Sequence, residues 1–591
     1  MPSPFPAKDH RMLSALMQTA LGREPADLVI ENARLVNVFT GEIEPGSAVA
    51  VRGPWIARVG RETADVVGPQ TRRIDAAGRF LTPGLIDGHT HLAWIACAPE
   101  VVPYAIASGV TTMVTETLEP YPVAGLAGVI EFLASLADQP IRFLATAPAM
   151  VSISTAARGI TAADLEALLA REEVLGLGES YWQAVLQEPS LYLPSFASTL
   201  AAGKRIEGHS AGAAGNKLAA YLALGVSSCH EPIDAPQALS RLRAGVHVLA
   251  REGSIRRDIA AIAEIRRAGV DLRRLALASD GLSPQDWVSG RGLDHALRRA
   301  VASGIPPLEA VRMATLHPAE HFRLDSLLGA VAPGRLADLV LTADLADFRP
   351  ETVICNGALL LEDGRLACTP RRHAFSWQSR NTVRLPRRLT AEDFRLKGFP
   401  EPDRSEVRVI ELVSDLVTAE RHLRLPVRQG ELRLPEGKEF LKVAAVDRAV
   451  RPGKLFTGVL RGFGLSRGAV ACSAAWDGPD IVVVGREEAE MAAAANRVAE
   501  LQGGAVLRGA GDRDAEIALP VFGLAAARPL AELAADLEAF NAALRGLGAD
   551  FPDPLLTLVT LTGAAIPYLR ICEEGLVNLR DGRTVGLRVG G

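Results

Sequence analysis

Cysteine, aromatic residues and long apolar runs are all scarce in this 591-residue chain. Its six cysteines are widely separated and include no Cys-x-x-Cys pair, which argues against a disulfide scaffold and indicates a reducing compartment. The longest apolar runs are far too short to span a bilayer, and residues 1–8 contain no apolar segment of a signal peptide. We therefore expect a cytoplasmic protein with no membrane partner.

An excess of positive charge is also missing. The formal net charge is −5, and lysine and arginine form no clustered basic face, so nucleic acid is not expected as a partner. The remaining composition is 48% hydrophobic and 23% charged, which is ordinary for a globular protein. At this length the chain is expected to form several domains.

Strand-like and helix-like segments alternate between residues 81 and 330. This alternation predicts a parallel α/β fold, and its length fits a TIM-like (β/α)8 barrel with the active site at the C-terminal ends of its strands. The predicted barrel strands are Leu85–His91, Thr112–Thr115, Ile141–Ala145, Val174–Leu177, Ile206–His209, Ser227–His230 and Leu275–Ser279.

The segments on either side of this barrel are rich in short β-like runs. Residues 1–80 are predicted to form a helical lead-in and one part of a small β-sandwich domain, and residues 331–385 the other part. Residues 400–591 are predicted to form an additional C-terminal α/β domain.

The strongest local motif is the run from Pro83 to His91, which ends in His89-Thr90-His91. If this run is a strand, both histidines point to the same face, because strand side chains alternate with period two. Two neutral imidazoles at one strand end can hold a metal ion. A surface His-x-His pair without function is the alternative, so the motif needs support from the rest of the chain.

That support comes from four further residues, each of which closes a predicted barrel strand: Glu179, His209, His230 and Asp280. Together with His89 and His91 they could hold two divalent ions, with the two oxygens of Glu179 bridging them. Such a pair lowers the pKa of a bound water toward neutrality. Asp280 could bind one ion and accept the proton of that water. Each residue alone also has a simpler explanation, as a hydrogen-bonded core histidine, a turn aspartate or an exposed strand end.

The motif and the order of these residues resemble the amidohydrolase superfamily and, more closely, the adenine deaminase family. The resemblance covers roughly residues 25–585. Besides residues 83–91, it rests on Gly208–Gly212, Ala219–Glu231, Arg251–Ser254, Arg312–Glu320, Gly334–Val340 and Gly462–Ala469.

The resemblance implies a two-metal site of manganese, iron or zinc with His89, His91, Glu179, His209, His230 and Asp280 as ligands. It implies that a metal-bound hydroxide attacks C6 of adenine, which releases ammonia and forms hypoxanthine. The enzyme is expected to act on a small heterocyclic substrate as a homo-oligomer, a dimer.

Several stretches depart from the family pattern: Leu92–Ile95, Glu116–Glu119, Cys229 and Ala475–Pro479. The ligands are retained while the expected pocket residues differ, which predicts the same chemistry on an altered substrate. Hydrolysis of another C–N bond, such as a cyclic amide or another aminoheterocycle, is therefore an alternative. A catalytically silent metal-binding protein is an alternative of another class.

Six residues beyond the ligands are candidates for the pocket. Glu231 could protonate a ring nitrogen, or it could orient a ligand histidine. Trp94 is either core filler or a stacking face for a planar ring. Glu116 and Glu119 are either solvated acids or acceptors for ring N–H groups. Arg251 and Ser254 lie in a family-like loop as substrate contacts, with a salt bridge or a helix cap as the alternatives.

Overall fold

The computed structural model describes residues 3–399 and 404–590 and is organised around a barrel of eight parallel strands. The first five strands form one hydrogen-bonded sheet and the last three form another. Backbone hydrogen bonds from Ser227 to Ile206 and from Asp280 to His89 join the two sheets on both sides, so the barrel is closed. The eight strands are Leu85–Thr90, Val110–Thr115, Arg142–Ala147, Val174–Tyr181, Arg205–His209, Ser228–Cys229, His247–Arg251 and Leu275–Ala278. The predicted barrel is confirmed.

The barrel strands are buried because helices cover their outer face. Leu275–Ala278 consists only of leucine and alanine and is fully buried, as expected for a parallel strand between two packed layers. Two covering helices begin at side-chain caps, where Thr161 accepts the N–H of Asp164 and Asp234 accepts that of Gln237. The helices of this region are Ala98–Ala107, Tyr121–Leu136, Ala162–Leu169, Trp182–Gln187, Pro189–Ala201, Gly215–Leu222, Ala235–Arg243, Ile259–Ile262, Pro284–Val288, Leu293–Ala302, Pro307–Met313 and Leu316–His321.

One barrel strand, His247–Arg251, is absent from the seven strands predicted from the sequence. It pairs with Ser228–Cys229 on one side and with Leu275–Ala278 on the other. Its apolar core is only Val248 to Ala250, and charged or polar residues stand at both ends. The α-helix after this strand is short, because only Ile259–Ile262 is α-helical and Ala263–Ala268 is a 3-10 turn.

The two flanks of the barrel join in one nine-stranded sheet. Leu339–Thr342 pairs antiparallel with Phe80–Pro83, which in turn pairs parallel with Leu28–Asn37. The predicted joining of the flanks is therefore confirmed, and helix His10–Ala20 forms the lead-in. The other strands of this sheet are Glu42–Arg52, Trp55–Gly60, Arg72–Asp75, Pro350–Cys355, Ala358–Glu362 and Arg365–Leu366.

The C-terminal region contains a second nine-stranded sheet, with helices Glu488–Glu500, Leu530–Gly546 and Pro554–Val559. The predicted domain, residues 400–591, includes residues 400–403 and 591, which lie outside the described residues. The sheet strands are Arg404–Leu412, Thr418–Arg428, Glu431–Leu432, Phe440–Asp447, Leu455–Arg461, Ala469–Cys472, Asp480–Gly485, Gly504–Arg508 and Ala515–Ala518. A three-stranded sheet follows, made of Leu569–Cys572, Gly575–Asn578 and Arg583–Val585.

The C-terminal region is docked on the end of the barrel where its first strand finishes. The short strand Ile95–Ala96, just after the His-x-His motif, pairs with Ala525–Ala526. Helix Leu530–Gly546 packs against helix Pro284–Val288, which follows the eighth barrel strand. These contacts bring C-terminal residues to the strand ends that carry the predicted ligands. In the part of the chain that the structure describes, no helix has both the length and the apolar character needed to cross a membrane.

Candidate metal centre

The six predicted ligands come together at the C-terminal ends of the barrel strands, and all six are buried. His89 lies within the first strand, Glu179 within the fourth and His209 at the end of the fifth. Asp280 follows the eighth strand in the left-handed backbone region, with φ of 60°, a conformation that costs energy for a residue other than glycine. Its backbone is fixed there by hydrogen bonds to His89 and His91. The carboxylate and imidazole groups of the six predicted ligands therefore converge on one small volume.

Glu179 stands between two histidines. Its Oε2 lies 3.0 Å from Nε2 of His230, and its Oε1 lies 3.7 Å from Nε2 of His91. Nε2 of His91 is also 3.3 Å from Oδ1 of Asp280. The two oxygens of Glu179 thus face different histidines, which is the arrangement that a bridging carboxylate requires.

His89 completes the cluster from the other side. Its ring stacks on that of His230 with centroids 4.0 Å apart, and its Nε2 lies 3.6 Å from Oδ1 of Asp280. Nε2 of His89 and Nδ1 of His209 are buried and have no hydrogen-bond partner among the described residues. Buried polar atoms without a partner are rare, and both nitrogens have a lone pair that suits a metal ion.

Three sets of potential ligand atoms lie within 4.8 Å of one another. They are His89 with Glu179 and His230, His89 with His91 and Asp280, and His209 with His230 and Glu231. The residues therefore fit divalent cations in number, type and position. Imidazole and carboxylate suit manganese, iron and zinc alike, so the donor set does not choose the metal.

Glu116 and Glu119, which the sequence proposed as substrate contacts, lie behind the ligands and outside the cavity lining. Oε1 of Glu119 is 2.5 Å from Nδ1 of His91. Oε1 of Glu116 accepts the backbone N–H of Glu179 at 3.2 Å and lies 3.7 Å from Nδ1 of His89. Burial raises the pKa of Glu116 to about 7. Both side chains are placed to orient ligands.

Arg251 closes the barrel strand that the sequence did not reveal, so its predicted place in a loop is wrong. Its buried guanidinium contacts Glu231, lies 3.2 Å from Oδ2 of Asp280 and lies 3.0 Å from Oδ2 of Asp258. Burial alone would raise the pKa of Glu231 and Asp280. The charge of Arg251 and hydrogen bonds from histidines outweigh burial and hold both pKa values well below their usual range. The salt-bridge alternative for Arg251 agrees with this geometry.

Ser254 and Trp94 also lie outside the cavity lining. The hydroxyl of Ser254 donates to Asp286 at 2.6 Å and accepts the backbone N–H of Ser283 at 2.7 Å, which ties two loops together. The helix-cap alternative for Ser254 is wrong, because the next helix begins at Ile259. The indole N–H of Trp94 donates to the backbone oxygen of Ala474 at 3.1 Å, so this side chain faces the C-terminal region.

The candidate metal centre forms the floor of a cavity of about 610 Å³. His91, Glu179, His209, His230 and Asp280 line it, together with Glu231 and Arg251. The C-terminal region supplies much of the wall, including Leu416, Trp476, Asp477, Ile566, Tyr568 and Arg580. The sequence analysis named none of these residues individually, although Trp476 and Asp477 lie within Ala475–Pro479, one of the stretches that it counted among the expected pocket residues.

Tyr181 connects this C-terminal wall to the ligands. Its hydroxyl lies 3.3 Å from Oε1 of Glu179 and 3.1 Å from Oδ1 of Asp477. The other oxygen of Asp477 accepts the backbone N–H of Ala564 at 2.6 Å. Burial, followed by the charge of Glu179, raises the pKa of Asp477 to about 7. The only sequence signal for Tyr181 was its place two residues beyond Glu179.

Comparison with known families gives two matches along the chain. The profile of the amidohydrolase family matches residues 198–360, and that of the adenine deaminase C-terminal domain matches residues 415–583. The first match includes His209, His230 and Asp280, and the second includes Trp476 and Asp477.

Relatives with curated names match over nearly the full chain. An adenine deaminase of Cenarchaeum symbiosum is 34% identical and covers 96% of this chain and 94% of its own length. An adenine deaminase of Moorella thermoacetica is 35% identical, with 97% and 98% covered. Adenine deaminase 3 of Rhizobium meliloti is 34% identical, with 95% and 96% covered.

Proposed function

The chain belongs to the adenine deaminase family, and we propose that it hydrolyses adenine or a closely related aminopurine to hypoxanthine and ammonia. The observation that carries this proposal is the convergence of the six candidate ligand residues, five of which line the floor of one cavity. The name of the relatives, adenine deaminase, indicates which reaction to propose, since these relatives match nearly the whole chain.

We propose that two divalent ions, of manganese, iron or zinc, are held by these residues. His89, His91 and Asp280 form one group, His209 and His230 form the other, and Glu179 lies between them. Ions bound there supply Lewis acidity and bring the pKa of water close to neutrality. Removal by a chelator is expected to abolish turnover, and a divalent ion is expected to restore it.

Two carboxylates are assigned to proton transfer. Both protons of the attacking water must leave its oxygen, one for a ring nitrogen and one for the departing amino group. We assign to Asp280 the proton that the water loses first, which it then delivers to the amino nitrogen. Glu231, which lines the cavity, delivers the other to the ring nitrogen. Because Arg251 holds Glu231 ionised at rest, Glu231 must first receive that proton.

The test is hypoxanthine and ammonia formation by the metal-loaded enzyme with adenine. Asp280→Asn is expected to keep the fold, shown by circular dichroism, and to lose activity by about 10²- to 10⁴-fold. Asp512→Asn is the matched control, because that side chain is 89% exposed and lies outside the cavity lining. Near-wild-type turnover in Asp280→Asn would reject Asp280 as the proton acceptor.

The cavity volume favours a substrate range wider than adenine alone. About 610 Å³ lies within the range that accommodates drug-sized ligands, so the cavity has room for a substituent on the N6 atom of adenine. A panel of adenine, N6-substituted adenines, guanine, isoguanine, cytosine and a cyclic amide separates the alternatives. Ring-opened products would favour cyclic-amide hydrolysis, and no turnover across the panel would favour a silent metal-binding protein.

We also infer a cytoplasmic homodimer. The six cysteines are all free, which suits a reducing compartment. Leu13, Met17 and Leu21 expose 52%, 52% and 55% of their surface in one stripe on and just after helix His10–Ala20, which favours contact with a second subunit. A monomer mass by light scattering would contradict the dimer.

A further inference from the structure

Trp476, which belongs to the C-terminal region, forms part of the wall directly beside the metal centre. It lies between strands Ala469–Cys472 and Asp480–Gly485 and lines the cavity. The centroid of its ring is 4.6 Å from that of His91. A Cβ atom on Gly281, the residue after Asp280, would lie 3.2 Å from the Trp476 ring. The indole therefore packs against the ends of the first and eighth barrel strands.

Trp94 holds this part of the wall from behind. The two indole rings meet edge to face with centroids 5.3 Å apart. The N–H of Trp94 is bonded to Ala474, and the neighbouring strand Ile95–Ala96 is paired with Ala525–Ala526. Of the two alternatives for Trp94, core filler agrees with this geometry, and Trp94 supports Trp476, which lines the cavity.

The indole N–H of Trp476 is a buried donor that finds no acceptor in residues 3–399 and 404–590. The N–H of Trp94 and that of Trp182, another tryptophan of this site, both donate to backbone oxygens. An indole nitrogen can only donate, and a buried donor without a partner is unfavourable. An acceptor on a bound molecule would remove that penalty.

We propose that Trp476 is a specificity-determining residue of this site, whose indole edge contacts a planar heterocycle and donates its N–H to a ring nitrogen of that heterocycle. The proposal deepens the proposed function and rests on it for the location of the substrate. The reacting carbon of the substrate lies at the metal ligands, so Trp476 contacts another edge of the heterocycle. The bound class is therefore an aromatic heterocycle with an unprotonated ring nitrogen away from its reacting carbon.

The experiment measures binding of the product, because product binding does not depend on turnover. Metal-loaded wild-type enzyme and the variants Trp476→Phe and Trp476→Leu are titrated by calorimetry with hypoxanthine, 3-deazahypoxanthine and 7-deazahypoxanthine. Phe keeps an aromatic ring without the N–H, and Leu removes both. Trp377→Phe is the matched control, because Trp377 is 66% exposed and lies outside the cavity lining.

Trp476→Phe is expected to raise the Kd of hypoxanthine about tenfold, the effect of one hydrogen bond. It is expected to leave unchanged the Kd of the one deaza analogue that lacks the acceptor nitrogen. Trp476→Leu is expected to raise all three Kd values by about tenfold, since the edge contact of an aromatic side chain is lost. Trp377→Phe should bind all three as the wild type does.

Equal changes for all three ligands in Trp476→Phe, including no change at all, would overturn the hydrogen bond. An unchanged Kd in Trp476→Leu would overturn the edge contact. Adenine turnover by the wild type is measured separately. If turnover is present while these Kd values do not move, this inference fails and the proposed function stands. If turnover is absent while Trp476→Phe shows the selective loss, the reverse holds.

Discussion

Glu119 offers the sharpest test of how the centre is built, because sequence and structure assign it different roles. The sequence suggested an acceptor for substrate N–H groups. In the structure its Oε1 lies 2.5 Å from Nδ1 of His91, with both side chains at most 1% exposed. A carboxylate in that position fixes the ring so that Nε2 of His91 faces Asp280 and Glu179. Glu119→Gln keeps the size and an acceptor oxygen but removes the charge.

The size of the effect follows from that geometry. A hydrogen bond to a charged group contributes about 1.5–3 kcal/mol and one between neutral groups about 1 kcal/mol, so the change removes roughly 1–2 kcal/mol of support for the ligand. Loss of such a partner lowers metal affinity about 10- to 100-fold. The glutamine retains an acceptor, which places the expected loss near tenfold.

The assay titrates metal-free enzyme with zinc or manganese in competition with a chelating dye. Glu119→Gln is expected to raise the metal Kd about tenfold and, at saturating metal, to leave the KM for adenine close to that of the wild type. Glu420→Gln is the matched control, since Glu420 forms a pair with His422 at 2.8 Å on the surface of the C-terminal sheet. An unchanged metal Kd with a raised KM would refute this reasoning and indicate that Glu119 contacts the substrate instead.

Two further predictions concern stability. Arg251→Met leaves Glu231, Asp258 and Asp280 without their buried cation, so we expect its free energy of unfolding in urea to fall by about 3–5 kcal/mol. Arg257→Met, at a site that is 51% exposed, should lower it by less than about 1 kcal/mol. Equal urea midpoints for the two variants would contradict this prediction. Burial, followed by the charge of His321, lowers the pKa of His247 to about 2, so below a pH of about 6.5 the unfolded chain binds a proton that the folded chain does not. Between pH 7 and pH 5 this histidine should therefore lower the free energy of unfolding by about 2 kcal/mol, and His247→Gln should not show that decrease. If the free energy of unfolding of His247→Gln fell with pH as steeply as that of the wild type, the assignment would be contradicted.

Local periodicity was sufficient to predict seven of the eight barrel strands and to select the candidate ligands at their ends. His89 and His91 share a strand face because of their spacing, and Glu179, His209, His230 and Asp280 close runs of small or apolar residues. Each of these signals lies within a few residues of the chain. The strand His247–Arg251 was not predicted because its apolar core is only three residues long. The long interval between Cys229 and Leu275, in a barrel that needs eight strands, was the signal that could have revealed it.

The second layer of the site could not be predicted in the same way. A strand-end position does not say whether Glu116 or Glu119 faces the cavity or a ligand, since that depends on the tilt of neighbouring strands. Trp476 and Asp477 reach the centre only because the C-terminal region docks on the barrel. Contacts between residues so far apart in sequence leave no trace in local patterns.

The hydroxyl of Tyr181 suggests what this docking does for the chemistry. One O–H group lies within 3.3 Å of carboxylate oxygens of both Glu179 and Asp477, yet it has a single proton to donate. If both carboxylates were ionised, one oxygen would be left facing the hydroxyl oxygen without a proton between them. Burial and the charge of Glu179 raise the pKa of Asp477 to about 7, which favours a proton on Asp477. A protonated Asp477 can donate a hydrogen bond to the Tyr181 oxygen, and the Tyr181 O–H can then donate its hydrogen bond to Glu179. The C-terminal region thereby fixes the orientation of the carboxylate between the two histidine groups.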